Sequence, residues 1–386
     1  MLSGARQCGK TTTSKSITNE NFIYRTLDEI TLLKSAQNDP QGFVKLDKGT
    51  MIIDEIQRVP ELITAIKKAV DENTRYGQYL ITGSVNLQTL PTAKESLAGR
   101  VKKVRLRTFS YGEILGNEPR FIDRINRCEF INNNGYDKRK MLDIMFKGGY
   151  PEAILINNEQ ERKLWYQDYF NTIIEYDLKD IANIRRHDNL QKLVSVIASY
   201  SSKFIDKSKI TSAMGIGTNT LDSYLGVLEN TFLVDKLSPY LKTDYERVNK
   251  QSKYFLTDTG LMSAVLDWNI EDTYFDTDKS GKIFETYVYH QLAEQVELTN
   301  GEYSLFHYRD REKREIDFII ESNDTIYGIE VKAGSSVSKE SFKHINWFKK
   351  NLAKNKKFIG IVLYTGEFSL PFGENLWAVP MNNLWE

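Results

Sequence analysis

The stretch Gly4-Ala5-Arg6-Gln7-Cys8-Gly9-Lys10-Thr11 constrains this chain more than any other. It satisfies the pattern G-x-x-x-x-G-K-[ST] at every fixed position, the pattern of a loop that wraps a phosphate. The physical demand behind it is convergence of donors. Gly4 and Gly9 let the backbone bend until several N–H groups face one anion. A helix starting at the end of the loop adds the positive end of its dipole. Lys10 then reaches the β- and γ-phosphates of a nucleotide, and the Thr11 hydroxyl becomes a Mg²⁺ ligand. Residues Gly4 to Thr11, together with Thr12, are the candidate nucleotide-binding residues. The plainer reading is a glycine turn that meets the pattern by chance.

A second stretch answers the first. Thr50-Met51-Ile52-Ile53-Asp54-Glu55-Ile56 is an apolar run ending in two acids, 44 positions after Lys10. A buried parallel strand reads this way when it delivers carboxylates to its C-terminal end. Asp54 is the candidate Mg²⁺ ligand and Glu55 the candidate base that orients and deprotonates the attacking water. An acidic pair after a strand can also be no more than a solvated strand end.

The spacing gives a chain of alternating elements. Helices are expected at 11–19, 28–36 (with Asp28 as its cap) and from Pro60 onward, and strands at 21–25, 49–56, 78–84 and 101–106. The strand at 78–84 ends in polar residues, where Ser84 or Asn86 is a candidate γ-phosphate sensor; the alternative is an ordinary strand-to-loop turn. Arg100 is a candidate for contact with a γ-phosphate in cis or from a neighbouring subunit. The alternative for Arg100 is a solvated loop residue. Only Met1-Leu2-Ser3 precedes the loop, so the expected first strand is either minimal or continued upstream.

Together, Gly4 to Thr11, Ile53-Asp54-Glu55-Ile56-Gln57, Ile81-Thr82-Gly83-Ser84 and Ser96-Leu97-Ala98-Gly99-Arg100 resemble a large family of prokaryotic AAA-type ATPases with an uncharacterised C-terminal domain. Members usually carry some tens of residues before the phosphate loop. The resemblance covers nearly the whole chain and implies ATP and Mg²⁺ as cofactors. The turn Gly148-Gly149-Tyr150-Pro151 recurs in the same family.

Composition bounds the rest. With 386 residues the chain should form two or three cores, and 40% hydrophobic residues suffice to build them. Lys+Arg and Asp+Glu both number 52, so bulk charge gives no sign of nucleic acid. Two cysteines, Cys8 and Cys128, suit a reducing cytoplasm. No 18-residue apolar run and no signal peptide is present, so a soluble protein without a membrane partner is expected.

Residues 112–131 read as charged and irregular, Asn132-Asn133-Asn134-Gly135 as a flexible break, and 159–186 as a long amphipathic helix broken near Asp180. Leu178 would lie on its apolar face. From Leu190 three shorter helices follow, at 190–199, 207–214 and 217–229 (with Thr218 as the cap of the last), then strands at 233–240 and 253–257. Helix, helix, helix and a two-stranded wing is a winged helix-turn-helix pattern. Its third helix carries Asp222 and no Arg or Lys. Lys203, Lys207 and Lys209 are the nearby cations. DNA contact and protein packing therefore both stay open.

The last third carries a second constellation. Helix 281–296 contains Glu285. Strands follow at 303–308, at 315–320 with Asp317, and at 326–333 with Glu330-Val331-Lys332. Helix 338–349 and strand 358–364 complete it. Glu330 and Lys332 are two apart on a strand and share a face. The order and motif resemble the PD-(D/E)XK nuclease fold. By that resemblance Asp317, Glu330 and Glu285 would hold Mg²⁺ and Lys332 would orient the water. The plainer reading is a set of surface ion pairs on a wet hairpin.

The expected fold is thus α/β in four parts: a P-loop ATPase domain over 1–115, with a parallel sheet lacking most of its first strand; a helical lid or linker over 116–188; a winged-helix-like domain over 189–260; and a restriction-endonuclease-like α/β domain over 261–386. The expected function is ATP binding and Mg²⁺-dependent AAA-type ATPase activity that couples nucleotide state to a DNA-related or nuclease-like C-terminal domain. The alternative is a nucleotide-dependent switch that recruits a protein partner without nuclease activity. Nucleotide, DNA and a protein partner are the candidate partners, with a homo-oligomer as the candidate assembly.

Overall fold

The computed structural model describes residues 1–17, 21–85, 99–177, 187–241, 251–299, 301–354 and 356–386. The chain divides into two compact units, residues 1–108 with 226–233, and residues 109–225 with 234–386.

The first unit is built on a parallel sheet of β1 (Leu2–Ser3), β2 (Phe22–Thr26), β3 (Thr50–Asp54), β4 (Tyr79–Gly83) and β5 (Val104–Arg105). The spatial order is β2-β3-β4-β1-β5. Strand β1 is only two residues long, yet both sides are paired: Leu2 lies opposite Thr82 on one side and Val104 on the other. So short a strand offers β5 little to pair with, and the strand expected at 101–106 shrinks to Val104–Arg105. Met51, Ile52 and Ile53 of β3 are fully buried. That is why the strand reads as an unbroken apolar run rather than an alternating one. Leu62, Ile63 and Ile66 of helix Leu62–Glu72 pack into the same core as Met51, Ile53 and Ile81.

Two local expectations shift. The helix expected to start at Asp28 runs from Ile30 to Asn38, and Glu29 sits at its N-cap without a side-chain hydrogen bond. The helix after the phosphate loop runs from Lys10 to Ser16. Asn86 and Ser96-Leu97-Ala98 lie outside the described residues, as do Leu178 and Asp180.

In the second unit, the region expected to be irregular holds helices Tyr111–Leu115 and Phe121–Arg127. The first is set by a capping box in which the Ser110 hydroxyl accepts from Glu113 N and the Glu113 carboxylate accepts from Ser110 N. The Asn-rich stretch is also pinned rather than free. Asn133 Nδ2 donates to Tyr136 O (2.9 Å) and Gly366 O (3.2 Å), and Asn132 Oδ1 accepts from Ser369 N (3.0 Å). Asparagine amides bond readily to nearby backbone, and here they use that capacity to hold two loops together. The long helix is helical over Glu159–Thr172 and continues as a π-helical turn over Ile173–Asp177.

Helices His187–Ser199, Lys207–Met214 and Thr218–Asn230 precede β6 (Val234–Leu237) and β7 (Lys253–Leu256), which pair antiparallel. Thr218 is the first residue of its helix rather than the cap before it. Helix Thr277–Leu298 then leads into β8 (Ser304–Arg309), β9 (Glu315–Glu321), β10 (Thr325–Lys332), β11 (Lys357–Tyr364), β12 (Leu370–Gly373) and β13 (Leu376–Pro380). These six strands order as β12-β13-β11-β10-β9-β8. Strands β8, β9 and β10 form an antiparallel meander, and β11 runs parallel to both β10 and β13. Helix Lys343–Asn351 lies in the crossover between β10 and β11. Strands β12 and β13 extend the sheet beyond the sequence expectation.

The segments expected as lid and C-terminal domain lie in this one unit, as does the expected winged helix apart from residues 226–233. Backbone bonds explain part of that. Tyr240 N donates to His307 O (2.6 Å) and His307 N to Ser238 O (3.1 Å), so the chain leaving β6 covers the edge of β8. Gly149 sits where no side chain fits, since a Cβ there would lie 2.2 Å from Phe109 O.

Candidate functional site

The phosphate loop takes the backbone its glycines permit. Gly9 has φ 99°, and the helix starts at the next residue. A Cβ on Gly4 would come 2.2 Å from Leu106 O, so only glycine lets the loop lie this close to the chain after β5. Cys8 Sγ is buried and points to Leu106 O (3.6 Å). Burial pushes the Cys8 thiol up, the opposite of what a nucleophile needs.

Lys10 is almost wholly buried. Its Nζ donates to Gly4 O (3.1 Å) and Ala5 O (2.7 Å), folding the ammonium back over the loop it belongs to. Thr11 follows on the same helical turn, and its hydroxyl donates to Asp54 Oδ2 (2.7 Å). The first helix and the end of β3 thus bring together the two residues placed by sequence as Mg²⁺ ligands. Tyr24, on β2, donates to the same carboxylate oxygen (2.7 Å), and Thr82, on β4, donates to Oδ1. Burial opposes charge on Asp54. The hydrogen bonds from Thr82, Tyr24 and Thr11, with the Lys10 charge, outweigh it and hold the carboxyl below its usual range.

Glu55 follows with φ 59° and ψ 42°, a left-handed backbone that costs a glutamate energy. The turn carries its carboxylate away from Asp54 toward β4. There Glu55 Oε2 accepts from Ser84 Oγ (3.2 Å) and from Gln57 Nε2, and Gln57 Nε2 also reaches Ser84 Oγ (3.0 Å). The strand order matters here. Strand β4 lies between the phosphate-loop strand β1 and the acidic strand β3, so Thr82 and Ser84 stand between loop and acids.

Thr11 and Asp54 fit a magnesium site. A hydroxyl and an ionised carboxylate stand side by side beside a phosphate-binding loop, and Mg²⁺ bound with nucleotide uses one or two such protein oxygens. Arg6 and Gln7 are exposed on the loop, Ala5 is buried, and Thr12 faces solvent. Arg100 pairs with Asp71 at 2.6 Å on helix Leu62–Glu72, with both side chains partly exposed.

In the second unit the C-terminal constellation gathers around a group that sequence reading passed over. Lys253, on β7, has a side chain with no solvent exposure. Its Nζ lies 2.8 Å from Glu285 Oε1, 2.7 Å from Glu315 Oε1 and 3.9 Å from Asp317 Oδ1. Asp317 Oδ2 accepts from Val331 N (2.9 Å). Lys332 Nζ stands 3.8 Å from Glu330 Oε2. Burial opposes charge on Lys253, but Glu285, Asp317 and Glu315 more than offset it and keep the ammonium protonated. Burial, and then Asp317 beside it, push the Glu330 carboxyl well up. Burial likewise lifts Glu285 to about 7 against the pull of Lys253.

Glu285 and Asp317, placed by sequence with Glu330 as Mg²⁺ ligands, have the Lys253 ammonium 2.8 Å and 3.9 Å away. Among the described residues no three acidic, histidine or cysteine side chains are disposed to hold a metal ion. A lysine ammonium stands against Glu285 and Glu315 instead. On the third helix of the helical segment, Asp222 pairs with Lys207 at 2.6 Å, so one expected phosphate-neutralising cation already faces an acid.

Against known proteins, residues 1–115 match an AAA domain. Residues 138–272 match a domain of unknown function (DUF8612), and residues 280–384 another domain of unknown function (DUF4143). The AAA domain with DUF4143 behind it supports an AAA-type ATPase family, and the AAA domain implies a nucleotide partner. Among particular relatives, an uncharacterized protein of Mycobacterium tuberculosis is 24% identical over 392 residues, spanning 100% of this chain and 80% of that protein. An uncharacterized protein of Methanocaldococcus jannaschii is 24% identical over 340 residues, 83% of this chain and 71% of its own length. One of Haemophilus influenzae is 25% identical over 286 residues, 68% and 67%. No helix among the described residues is long and apolar enough to cross a membrane.

Sequence reading missed Tyr24, Thr82, Gln57 and Lys253 as members of these sites. Thr82 and Gln57 stood inside quoted motifs without a role. Lys253 had one legible signal, a charge opening the apolar run Lys253-Tyr254-Phe255-Leu256.

Proposed function

We propose that the chain is a Mg²⁺-dependent ATPase whose nucleotide state acts on its C-terminal half. The observation that carries this is the 2.7 Å bond between Thr11 and Asp54, beside a lysine held on loop carbonyls. In this reading loop N–H groups and Lys10 bind the β- and γ-phosphates. Thr11 and Asp54 hold Mg²⁺, which supplies positive charge against the charge developing on the phosphoryl oxygens. Tyr24 and Thr82 keep Asp54 ionised and aimed. Glu55, steadied by Ser84 and Gln57, orients the attacking water and accepts its proton.

The helices at 187–230 with β6 and β7 are read as a winged-helix segment. The β8–β11 arrangement with helix Thr277–Leu298 is read as PD-(D/E)XK-like. DNA, a protein partner and self-assembly stay as candidates for what the C-terminal half meets. One observation favours the second reading, a nucleotide-dependent switch without nuclease activity: Lys253 stands among the carboxylates that would have to bind metal.

The test is ATP hydrolysis with Mg²⁺, with and without duplex DNA, beside Lys10→Ala. Turnover in the wild type and loss of about 100-fold or more in Lys10→Ala is expected, the usual scale for removing one charge-stabilising donor. Full turnover in Lys10→Ala overturns the proposal. Tight ATP binding without turnover moves the reading to the switch.

A further inference from the structure

We infer that Lys253 is the resident cation of the C-terminal carboxylate pocket, and that its ammonium latches the β6–β7 pair to the sheet in place of a divalent metal. The inference goes beyond the ATPase reading and stands without it.

The pocket shows why. Three carboxylates from two elements, Glu285 on helix Thr277–Leu298 and Glu315 and Asp317 on β9, face one ammonium. A charge so deeply buried persists only when paired, and this one is paired on several sides. The aromatic face of Phe204 lies 5.3 Å from the same Nζ, adding a further cation contact. Further cations stand at the solvent side of the carboxylates: Arg309 Nε lies 4.0 Å from Glu315 Oε2, and Lys332 Nζ 3.8 Å from Glu330 Oε2. A second positive ion would meet ammonium repulsion rather than open carboxylate oxygens.

The ammonium also has no easy way out. Lys253 is in register with Leu237 on β6, and its backbone forms a bridge to Phe204. Withdrawing the side chain therefore means moving a strand whose residues Tyr254, Phe255 and Leu256 are all buried. A latch follows directly. The lysine comes from one strand pair and its counter-ions from the helix and sheet beside it, so the ion pairs tie these parts together. By the same geometry Asp317 and Glu285 act as counter-ions and not as metal ligands.

The experiment titrates the full chain, without nucleotide, with Mn²⁺ and reads bound ion by electron paramagnetic resonance. Wild type and Asp317→Asn are expected to give superimposable curves at millimolar Mn²⁺, because the pocket takes no metal in either. Lys253→Met is expected either to gain a Mn²⁺ site that the added change Asp317→Asn removes, or to lose thermal stability by many degrees. A Mn²⁺ site present in the wild type and absent from Asp317→Asn overturns the inference. So does Lys253→Met that keeps wild-type stability and gains no metal. Should Lys253→Met fail to fold, the comparison of wild type with Asp317→Asn still decides whether the pocket holds metal.

Discussion

Lys10 and Lys253 are both withdrawn from solvent, one in each unit, and they differ in what faces the ammonium. Around Lys10 it is neutral carbonyl oxygen, Gly4 O and Ala5 O. Around Lys253 it is carboxylate, Glu285 and Glu315 within 2.8 Å and Asp317 at 3.9 Å. Carbonyls satisfy hydrogen bonds but leave the charge uncancelled; it helps hold Asp54 ionised, and in the proposed reading it also attracts an arriving phosphate. Carboxylates cancel the charge, and Lys253 has none left to offer. The difference teaches that a buried lysine announces a ligand site only when its partners are neutral. With anionic partners it announces a joint in the structure.

The largest effect expected from this contrast is on stability. Lys253→Met leaves buried carboxylates unpaired, and breaking a buried pair from one side costs about 3–5 kcal/mol. Lys10→Met removes two charge-assisted hydrogen bonds to neutral carbonyls but also the burden of burying an ammonium, and should cost less stability than Lys253→Met. Denaturant unfolding of the two variants measures both. Equal losses would erase the distinction between the two lysines.

The same contrast explains what the sequence made legible. The phosphate loop is a local pattern: Gly9 supplies the left-handed turn, and Lys10 and Thr11 follow on one helical turn, so residue spacing and site geometry coincide. The acidic strand is equally local, because a doubly buried parallel strand writes itself as Met51-Ile52-Ile53. Lys253 is the opposite case. Its partners are 32, 62 and 64 positions away, taking Glu285, Glu315 and Asp317 from Lys253 in turn. No spacing rule joins them, since the fold alone brings β7 beside the helix and β9. Tyr24 was missed for the same reason. It meets Asp54 only because β2 and β3 pair with Thr26 opposite Asp54. Helix Tyr111–Leu115 was missed for another reason: its capping box sits in a charged stretch without apolar periodicity.

A smaller effect sharpens the account of the nucleotide site. Tyr24→Phe deletes one of the three hydroxyls on Asp54 and leaves the ring, over which Lys15 Nζ lies at 3.9 Å. A hydrogen bond to a charged group contributes about 1.5–3 kcal/mol, so the first unit should weaken by roughly that amount. The pH dependence follows from the sign of the Asp54 shift. Its folded pKa is depressed, so its contribution is present above the unfolded carboxylate value of about 3.9 and is lost as pH falls through the depressed folded value. Tyr24→Phe moves the folded value back toward the unfolded one and should shrink the acid-dependent part of stability. An acid limb identical to the wild type would show that Tyr24 does not hold the carboxylate.

The smallest effect is expected at Arg100, and it supplies the exposed counterpart to the buried pairs. Its guanidinium meets Asp71 at 2.6 Å with both side chains more than a third exposed. A surface pair of this kind contributes about 0–1 kcal/mol, far below the buried joint at Lys253. Arg100→Ala and Asp71→Ala should therefore change stability little and alike. Turnover separates the two readings of this arginine. A guanidinium that only pairs with Asp71 leaves ATP hydrolysis equal in both variants. A guanidinium that leaves Asp71 for a γ-phosphate lowers turnover in Arg100→Ala alone, because Asp71→Ala keeps the arginine in place. The pairing with Asp71 favours the first outcome, and measuring both variants in one assay decides between the two.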